Sequence, residues 1–266
     1  MPRVRVSTGV TLAYSEQGHG PPLVLIDGFG GRWVWFKNVG PLSRAFRVIA
    51  LDIRGVGDSD APPGPYSVPV MARELAEVIL ALHAAPANLA AMSVGGYVAQ
   101  ELALDRPDLV RKLVLHGTNL GNGWQVPPTT LLAVTQPLPG LPLDQAFRLR
   151  LPGVLSPGYI QTHPLEVEEL VALVTRSPTT NVGRVGLLQA GALWPGSYGR
   201  IQSLRQPALV VNGGQDRLNP LLNSTLLAAA VPGHRLWVFP GAGHLCNIER
   251  TQAYNWMLTG FLMLDP

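Results

Sequence analysis

Ala87-Asn88-Leu89-Ala90-Ala91-Met92-Ser93-Val94-Gly95-Gly96 is the stretch that decides how this chain folds. Residues 87–92 are apolar but for Asn88 and short enough for a buried strand, and a helical segment follows from Gly95 to about Leu104. A strand that runs straight into a helix through a serine makes a sharp turn, which pushes the hydroxyl out past the end of the sheet. Helix and strand backbones then approach closely, so the positions two before and two after the serine must be small. Here they are Ala91 and Gly95. The same pattern also fits a serine that only caps the helix.

On either side of that turn, short apolar runs alternate with longer segments of helical period. Residues 4–6 and 11–15 read as an opening strand pair around Ser7-Thr8-Gly9, and 22–26 and 46–51 as buried strands. The spacing of Val70, Leu75, Val78, Ile79 and Leu82 predicts a helix over 68–83. Residues 110–116, 208–212 and 235–239 complete the strands, and a last helix covers about 251–263. Such alternation predicts an α/β fold, a mostly parallel central sheet flanked by helices. Between 119 and 205 the pattern changes to Pro, Leu and Gly, with short helical pieces at 143–150 and 165–174 and no clear strand. Stretches of that length are rarely structureless in a compact domain. The expectation is a helical lid over 119–205, inserted in a core made of 1–118 and 206–266.

Composition narrows the function. A chain of 266 residues with 47% hydrophobic and 14% charged residues is globular rather than disordered. The net charge of +3 comes from scattered arginines, with Lys37 and Lys112 the only lysines, so no basic stripe for nucleic acid forms. The single cysteine, Cys246, excludes an internal disulfide and reads as a small buried hydrophobe. The first residues lack an apolar leader, and the most apolar stretch, 75–92, is broken by Glu77, His83, Pro86 and Asn88. A cytoplasmic protein without a membrane partner is expected. No metal or other cofactor is implied, and the oligomeric state has no signature in the sequence.

A nucleophilic serine needs a base, and the base needs a group that fixes its tautomer. Residues 208–212 form a strand that leads into Gly213-Gly214-Gln215-Asp216, placing Asp216 at the carboxyl rim of the sheet, where open parallel sheets bind ligands. A turn aspartate bonding its own backbone would look the same. His244 ends Pro240-Gly241-Ala242-Gly243-His244, just after the last strand. Among the other histidines, His19 and His234 sit at the wrong end of the sheet, His83 is on a helix and His163 lies in the expected lid. His116 ends a strand at the right edge but has no acid beside it. The chain order Ser93, Asp216, His244 fits a nucleophile, acid and base on a hydrolase sheet. Negative charge on a reacting carbonyl oxygen needs backbone N–H donors. Val94 offers one, and the loop Asp27-Gly28-Phe29-Gly30-Gly31 offers another, from Phe29.

These motifs resemble the α/β-hydrolase superfamily, in its branch of small cofactor-free esterases, lactonases and non-haem haloperoxidases. Asp52-Ile53-Arg54-Gly55-Val56-Gly57-Asp58-Ser59 is similar to that family's D-x-R-G-x-G-x-S turn, and Phe239-Pro240-Gly241-Ala242-Gly243-His244 to its histidine loop. The resemblance implies a serine hydrolase acting on an ester, thioester or lactone. Carbon–carbon bond hydrolysis and perhydrolysis use the same triad, and a low-turnover receptor on this fold is the reading from another class. One departure stands out: the family usually has His-Gly where this chain has Asp27-Gly28. Asp27 either braces the loop through backbone hydrogen bonds or opposes the oxyanion with its charge.

For the substrate, the lid is the guide. Leu131, Leu132, Leu138, Leu141 and Phe147 lie in it with few charges, which predicts an uncharged or weakly polar, mostly apolar small molecule. Trp33, Trp35 and Trp124 flank the expected entrance and Trp194 lies in the lid, so these four are expected to contribute to the substrate wall, although tryptophan more often packs in the core.

Overall fold

Strands β1 (Arg3–Arg5), β2 (Thr11–Gln17), β3 (Pro22–Ile26), β4 (Arg47–Leu51), β5 (Ala87–Met92), β6 (Val110–His116), β7 (Ala208–Gly213) and β8 (Leu236–Phe239) form one sheet in the order β1-β2-β4-β3-β5-β6-β7-β8. A computed structural model of the chain describes residues 1–127, 134–136, 138, 140–233 and 235–264. Leu131 and Leu132 of the expected lid, and His234, lie outside the described residues. From β4 through β8 the strands pair in parallel, and β2 runs antiparallel to both β1 and β4.

The central strands are apolar along their length because both faces are covered. Leu23 and Leu25 of β3, Ala90 and Met92 of β5, and Leu209 and Val211 of β7 enter one core. The alternate residues, among them Val24, Ile26, Leu89, Ala91 and Val210, enter the other. Helices α1 (Phe36–Leu42), α2 (Val68–Ala81) and α3 (Val94–Asp105) follow β3, β4 and β5. Buried residues of α2 and α3 join the second core, and Leu42 of α1 joins the first.

Among the described residues, four α-helices lie between β6 and β7: α4 (Leu143–Val154), α5 (Pro157–Thr162), α6 (Pro164–Arg176) and α7 (Asn181–Leu193). After β7 come α8 (Leu221–Ala230), α9 (Cys246–Glu249) and α10 (Thr251–Met263). The two helical pieces read at 143–150 and 165–174 are thus the larger parts of α4 and α6. No α-helix is read over 181–193, where Gly183, Gly186 and Gly191 lower helix propensity. The packing explains two of these glycines. A Cβ on Gly183 would overlap the carbonyl oxygen of Gly55, and one on Gly186 would lie 2.5 Å from the Tyr66 ring. The helix therefore rests backbone-to-backbone on the turn after β4.

Further ties fasten these helices to the core. Ser177 Oγ donates to Asp58 at 2.5 Å, Thr179 Oγ1 donates to the Phe29 carbonyl at 2.6 Å, and the Trp194 indole donates to Glu101 at 3.0 Å. Among the described residues, no helix is long and apolar enough to cross a membrane.

The Gly183 contact is testable by chemical denaturation. Gly183→Ala is expected to destabilise the fold by about 1–3 kcal/mol through overpacking. Gly260→Ala, inside α10 where a methyl meets open space, is expected to stabilise it by about 0.5–1 kcal/mol through helix propensity.

Candidate active site

The register of the parallel strands aligns their carboxyl ends. Ile26 pairs with Ala91, Met92 with His116, and His116 with Val211. The loops that follow β3, β5, β7 and β8 thereby bring Asp27, Ser93, Asp216 and His244 to one rim. Strand β3 has β4 on one side and β5 on the other, so the chain winds in opposite directions from it. That switch point is where open α/β sheets bind ligands, and Asp27 and Ser93 flank it.

Ser93 has φ 57° and ψ −127°, a backbone conformation that L-residues rarely hold. Its N–H donates to the His116 carbonyl at 3.0 Å, and its carbonyl accepts from the Gly96 N–H at 2.9 Å and the Thr118 hydroxyl at 2.9 Å. The Ser93 side chain makes no capping hydrogen bond to α3, which removes the capping explanation and leaves the hydroxyl facing a cavity. Close contacts favour the small residues of the turn. A Cβ on Gly95 would lie 3.1 Å from the Ile26 carbonyl oxygen, and one on Gly96 2.6 Å from Thr118.

His244 Nδ1 and Asp216 Oδ2 are 2.7 Å apart, both buried. The other carboxylate oxygen of Asp216 accepts the N–H groups of Leu218 at 2.9 Å and Asn219 at 2.7 Å. The aspartate therefore orders its own turn and also holds the imidazole. Gly117 makes the approach possible: it has φ 54°, and a Cβ there would lie 2.8 Å from His244 Cε1. Buried amides support the acid loop. Asn219 Nδ2 donates to the Thr118 carbonyl at 3.0 Å, and Asn212 Nδ2 donates to the Asn219 carbonyl at 3.2 Å. The histidine loop is fastened by Glu249, whose Oε1 accepts the N–H groups of Gly243 and Ser156, each at 2.9 Å. None of Gly117, Asn219 and Glu249 carries a local sequence signature, because each acts through a distant partner.

His116, the other histidine at this rim, has a different place. Its Nε2 lies 2.9 Å from the His244 carbonyl and 3.1 Å from Cys246 Sγ, and its Nδ1 lies 3.2 Å from the Tyr254 hydroxyl. It is wholly buried, and burial pushes its pKa down to about 3, so the ring is neutral. Burial also pushes the Cys246 thiol up, as suits a small core side chain.

Asp27 settles between the two roles open to it in the sequence. Its Oδ2 accepts the Gly30 N–H at 2.8 Å, bracing the loop after β3. Burial raises its carboxyl to about 6 despite those backbone bonds. Burial alone would lower the His244 pKa, but the charges of Asp216 and then Asp27 outweigh it and the net shift is upward. Phe29 lies on the same loop and lines the cavity. A Cβ on Gly28 would sit 3.4 Å from the Val94 nitrogen, so the Asp27–Phe29 loop runs beside that N–H.

The cavity has a volume of about 400 Å³. Asp27, Phe29, Ser93 and His244 form its floor, and α4, α6 and α7 contribute walls, with Leu143, Ala146, Phe147 and Val174 among the apolar residues. The expected tryptophan wall is corrected: none of Trp33, Trp35, Trp124 and Trp194 lines the cavity. Trp35 is fully buried among Tyr254 and His116, and Trp33 lies under the Arg32 guanidinium, 4.5 Å from its ring centre. Trp194 packs on Tyr97 with ring centres 4.7 Å apart, and half-exposed Trp124 stacks on Tyr198. Trp35 and Trp194, both buried, gain more by filling gaps in the core than by facing a cavity. Two polar wall residues, Arg150 and Arg184, had no signal in the sequence.

Comparison with known proteins agrees with this architecture. Residues 21–251 match the model of the alpha/beta hydrolase fold family. The chain belongs to the α/β-hydrolase family. It is 30% identical to the poly(3-hydroxyalkanoate) depolymerase of Ectopseudomonas oleovorans over 93% of this chain and 86% of that one. The crystal structure of the enol-lactonase from Burkholderia xenovorans LB400 superposes with a TM-score of 0.86 at 25% identity, covering 99% of this chain and 100% of that one. A thermophilic esterase from Thermogutta terrifontis superposes with a TM-score of 0.82 at 26% identity, covering 98% of each chain. This α/β-hydrolase is accordingly an enzyme, a hydrolase with a mostly parallel eight-stranded sheet.

The electrostatics of the site predict a titration order readable by NMR of the imidazoles. His244 is expected to titrate above an ordinary histidine, and Asp27→Asn to lower its pKa, because a nearby negative charge that favours the imidazolium is removed. His116 is expected to stay neutral down to about pH 3 in both proteins.

Proposed function

We propose that this hydrolase cleaves an ester, thioester or lactone of a mostly apolar small molecule through an acyl-enzyme on Ser93. The observation that carries the reading is the hydrogen bond between buried Asp216 and His244 Nδ1, at the rim where Ser93 faces the cavity. With Nδ1 engaged by the carboxylate, Nε2 is the nitrogen left to take the Ser93 proton. Ser93 Oγ attacks the carbonyl carbon, and the proton passes to His244. The imidazolium so formed is stabilised by Asp216. The N–H groups of Phe29 and Val94 receive the oxyanion, and the start of α3 adds its positive end. Collapse of the tetrahedral species expels the alcohol or thiol, which takes the proton from His244. Water then attacks the acyl-enzyme by the same route and frees the acid.

The strained turn at Ser93 supports the assignment, since rare backbone conformations concentrate at reacting residues. Helices α4 to α7 act in this reading as the lid over the site. They wall the cavity and keep bulk water from the acyl-enzyme.

A fluorophosphonate probe is expected to label the wild-type protein and not Ser93→Ala. Against p-nitrophenyl esters from acetate to decanoate, Asp216→Asn is expected to lower kcat by roughly three to four orders of magnitude. The acid limb of kcat/KM is expected to follow the raised His244 pKa, with activity lost as the pH falls through it and the imidazole becomes protonated. Labelling that persists in Ser93→Ala, or a rate indifferent to Asp216, would overturn the reading.

A further inference from the structure

The cavity holds two cations that this chemistry does not use. Arg150, on α4, and Arg184, at the end of the first turn of α7, both line it. The Nε of each is sealed from solvent without a hydrogen-bond partner. Arg150 Nη2 donates to the Gln136 carbonyl at 3.0 Å. Among the described residues, no carboxylate forms an ion pair with either guanidinium. The carboxylate in the cavity, Asp27, has His244 as its charge partner at the floor.

The arrangement is electrostatically unfavourable for both guanidinium groups. Burial pushes Arg184 down to about 10, and the charge of Arg150 pushes in the same direction. Burial lowers Arg150 as well. Arg184 at about 10 still carries its proton at neutral pH, and arginine does so in general, so two like charges share one largely apolar cavity. The start of a helix is also an unfavourable place for a cation, because the helix dipole is positive there. Three independent sources of positive potential therefore converge on one part of the cavity wall. Charge partly withdrawn from water is normally neutralised, and an anion placed against these two guanidinium groups would lie within the cavity itself. A carboxylate accepts hydrogen bonds from guanidinium groups in a geometry that a neutral chain end cannot reproduce.

We infer that the acyl part of the substrate ends in an anion, in its simplest form a carboxylate, which Arg150 and Arg184 hold while the opposite end presents its ester or lactone carbonyl to Ser93. The inference rests on the hydrolase reading of Ser93 and narrows its substrate class from apolar molecules to apolar molecules with one acidic end. The apolar lining of the same cavity, which includes Phe147, Val174 and Leu138, would pack on the apolar middle. The few charges between 119 and 205 are thus not incidental: two of them meet in the cavity.

The test compares mono-p-nitrophenyl esters of linear dicarboxylic acids, glutarate to suberate, with p-nitrophenyl alkanoates of equal length. The wild type is expected to favour the half-esters by roughly 10- to 100-fold in kcat/KM, mainly through KM, the range for charge-assisted hydrogen bonds. In Arg150→Gln and Arg184→Gln that ratio is expected to collapse toward one. Suberate binding by titration calorimetry provides a readout without turnover. Ser93→Ala is expected to bind suberate as the wild type does, and Arg184→Gln to lose roughly tenfold or more in affinity. Should neither ester series be turned over while suberate still binds through the arginines, the hydrolase reading fails and the anion site stands. Equal rates for both series in the wild type, or a half-ester preference that survives both substitutions, would overturn the anion site and leave the hydrolase reading intact.

Discussion

The turn at Ser93 is the constraint on which the rest of the molecule depends. A residue other than glycine at φ 57° and ψ −127° costs on the order of 1–3 kcal/mol, and it persists because its surroundings over-determine it. Strand β5 is buried on both faces, α3 begins at the next residue, and the peptide groups of Ser93 are bonded to His116, Thr118 and Gly96. The close approach of α3 to the end of β3 leaves little room for a side chain at 95. Position, strain and helix start are therefore one structural fact seen from three sides.

Around that turn the charges are sorted by depth. His116 is deep and neutral and serves as a spacer that holds the His244 carbonyl. Asp216 is equally deep but keeps company with two N–H groups and an imidazole. Asp27 lies at the cavity floor, where burial outweighs its backbone bonds and raises its carboxyl to about 6. The two arginines lie in the cavity wall. Asp27 at the floor and the guanidinium groups in the wall thus set opposite charges on different parts of one cavity.

Much of this was legible in the sequence because it is local. The strands 22–26, 87–92 and 110–116 and the helix 251–263 have the bounds read from periodicity alone. Ser93, Asp216 and His244 each follow a strand, so their common rim follows from topology. What could not be read depends on partners far apart in the chain. Helix α8 escapes an amphipathic reading because buried Asn223 and Ser224 interrupt its apolar face, and both bond to Asn219 beneath the acid loop. The tryptophans misled because composition says nothing of which gap a ring fills. Arg150 and Arg184 belong to separate helices and come to one cavity only in the fold, and in sequence they are ordinary solvated arginines.

The contact of Gly183 with Gly55 has a consequence for how this enzyme can diversify. Where two main chains touch, there is no side chain to exchange, so the spacing between that part of the roof and the sheet is fixed for any sequence that keeps the fold. Variation in the length or bulk of what the chamber accepts must come from wall positions that carry side chains, such as Leu143, Ala146 and Phe147 on α4. A library aimed at ligands of a different shape belongs on α4, while the glycine-seated end of α7 acts as the fixed jaw of an adjustable vice.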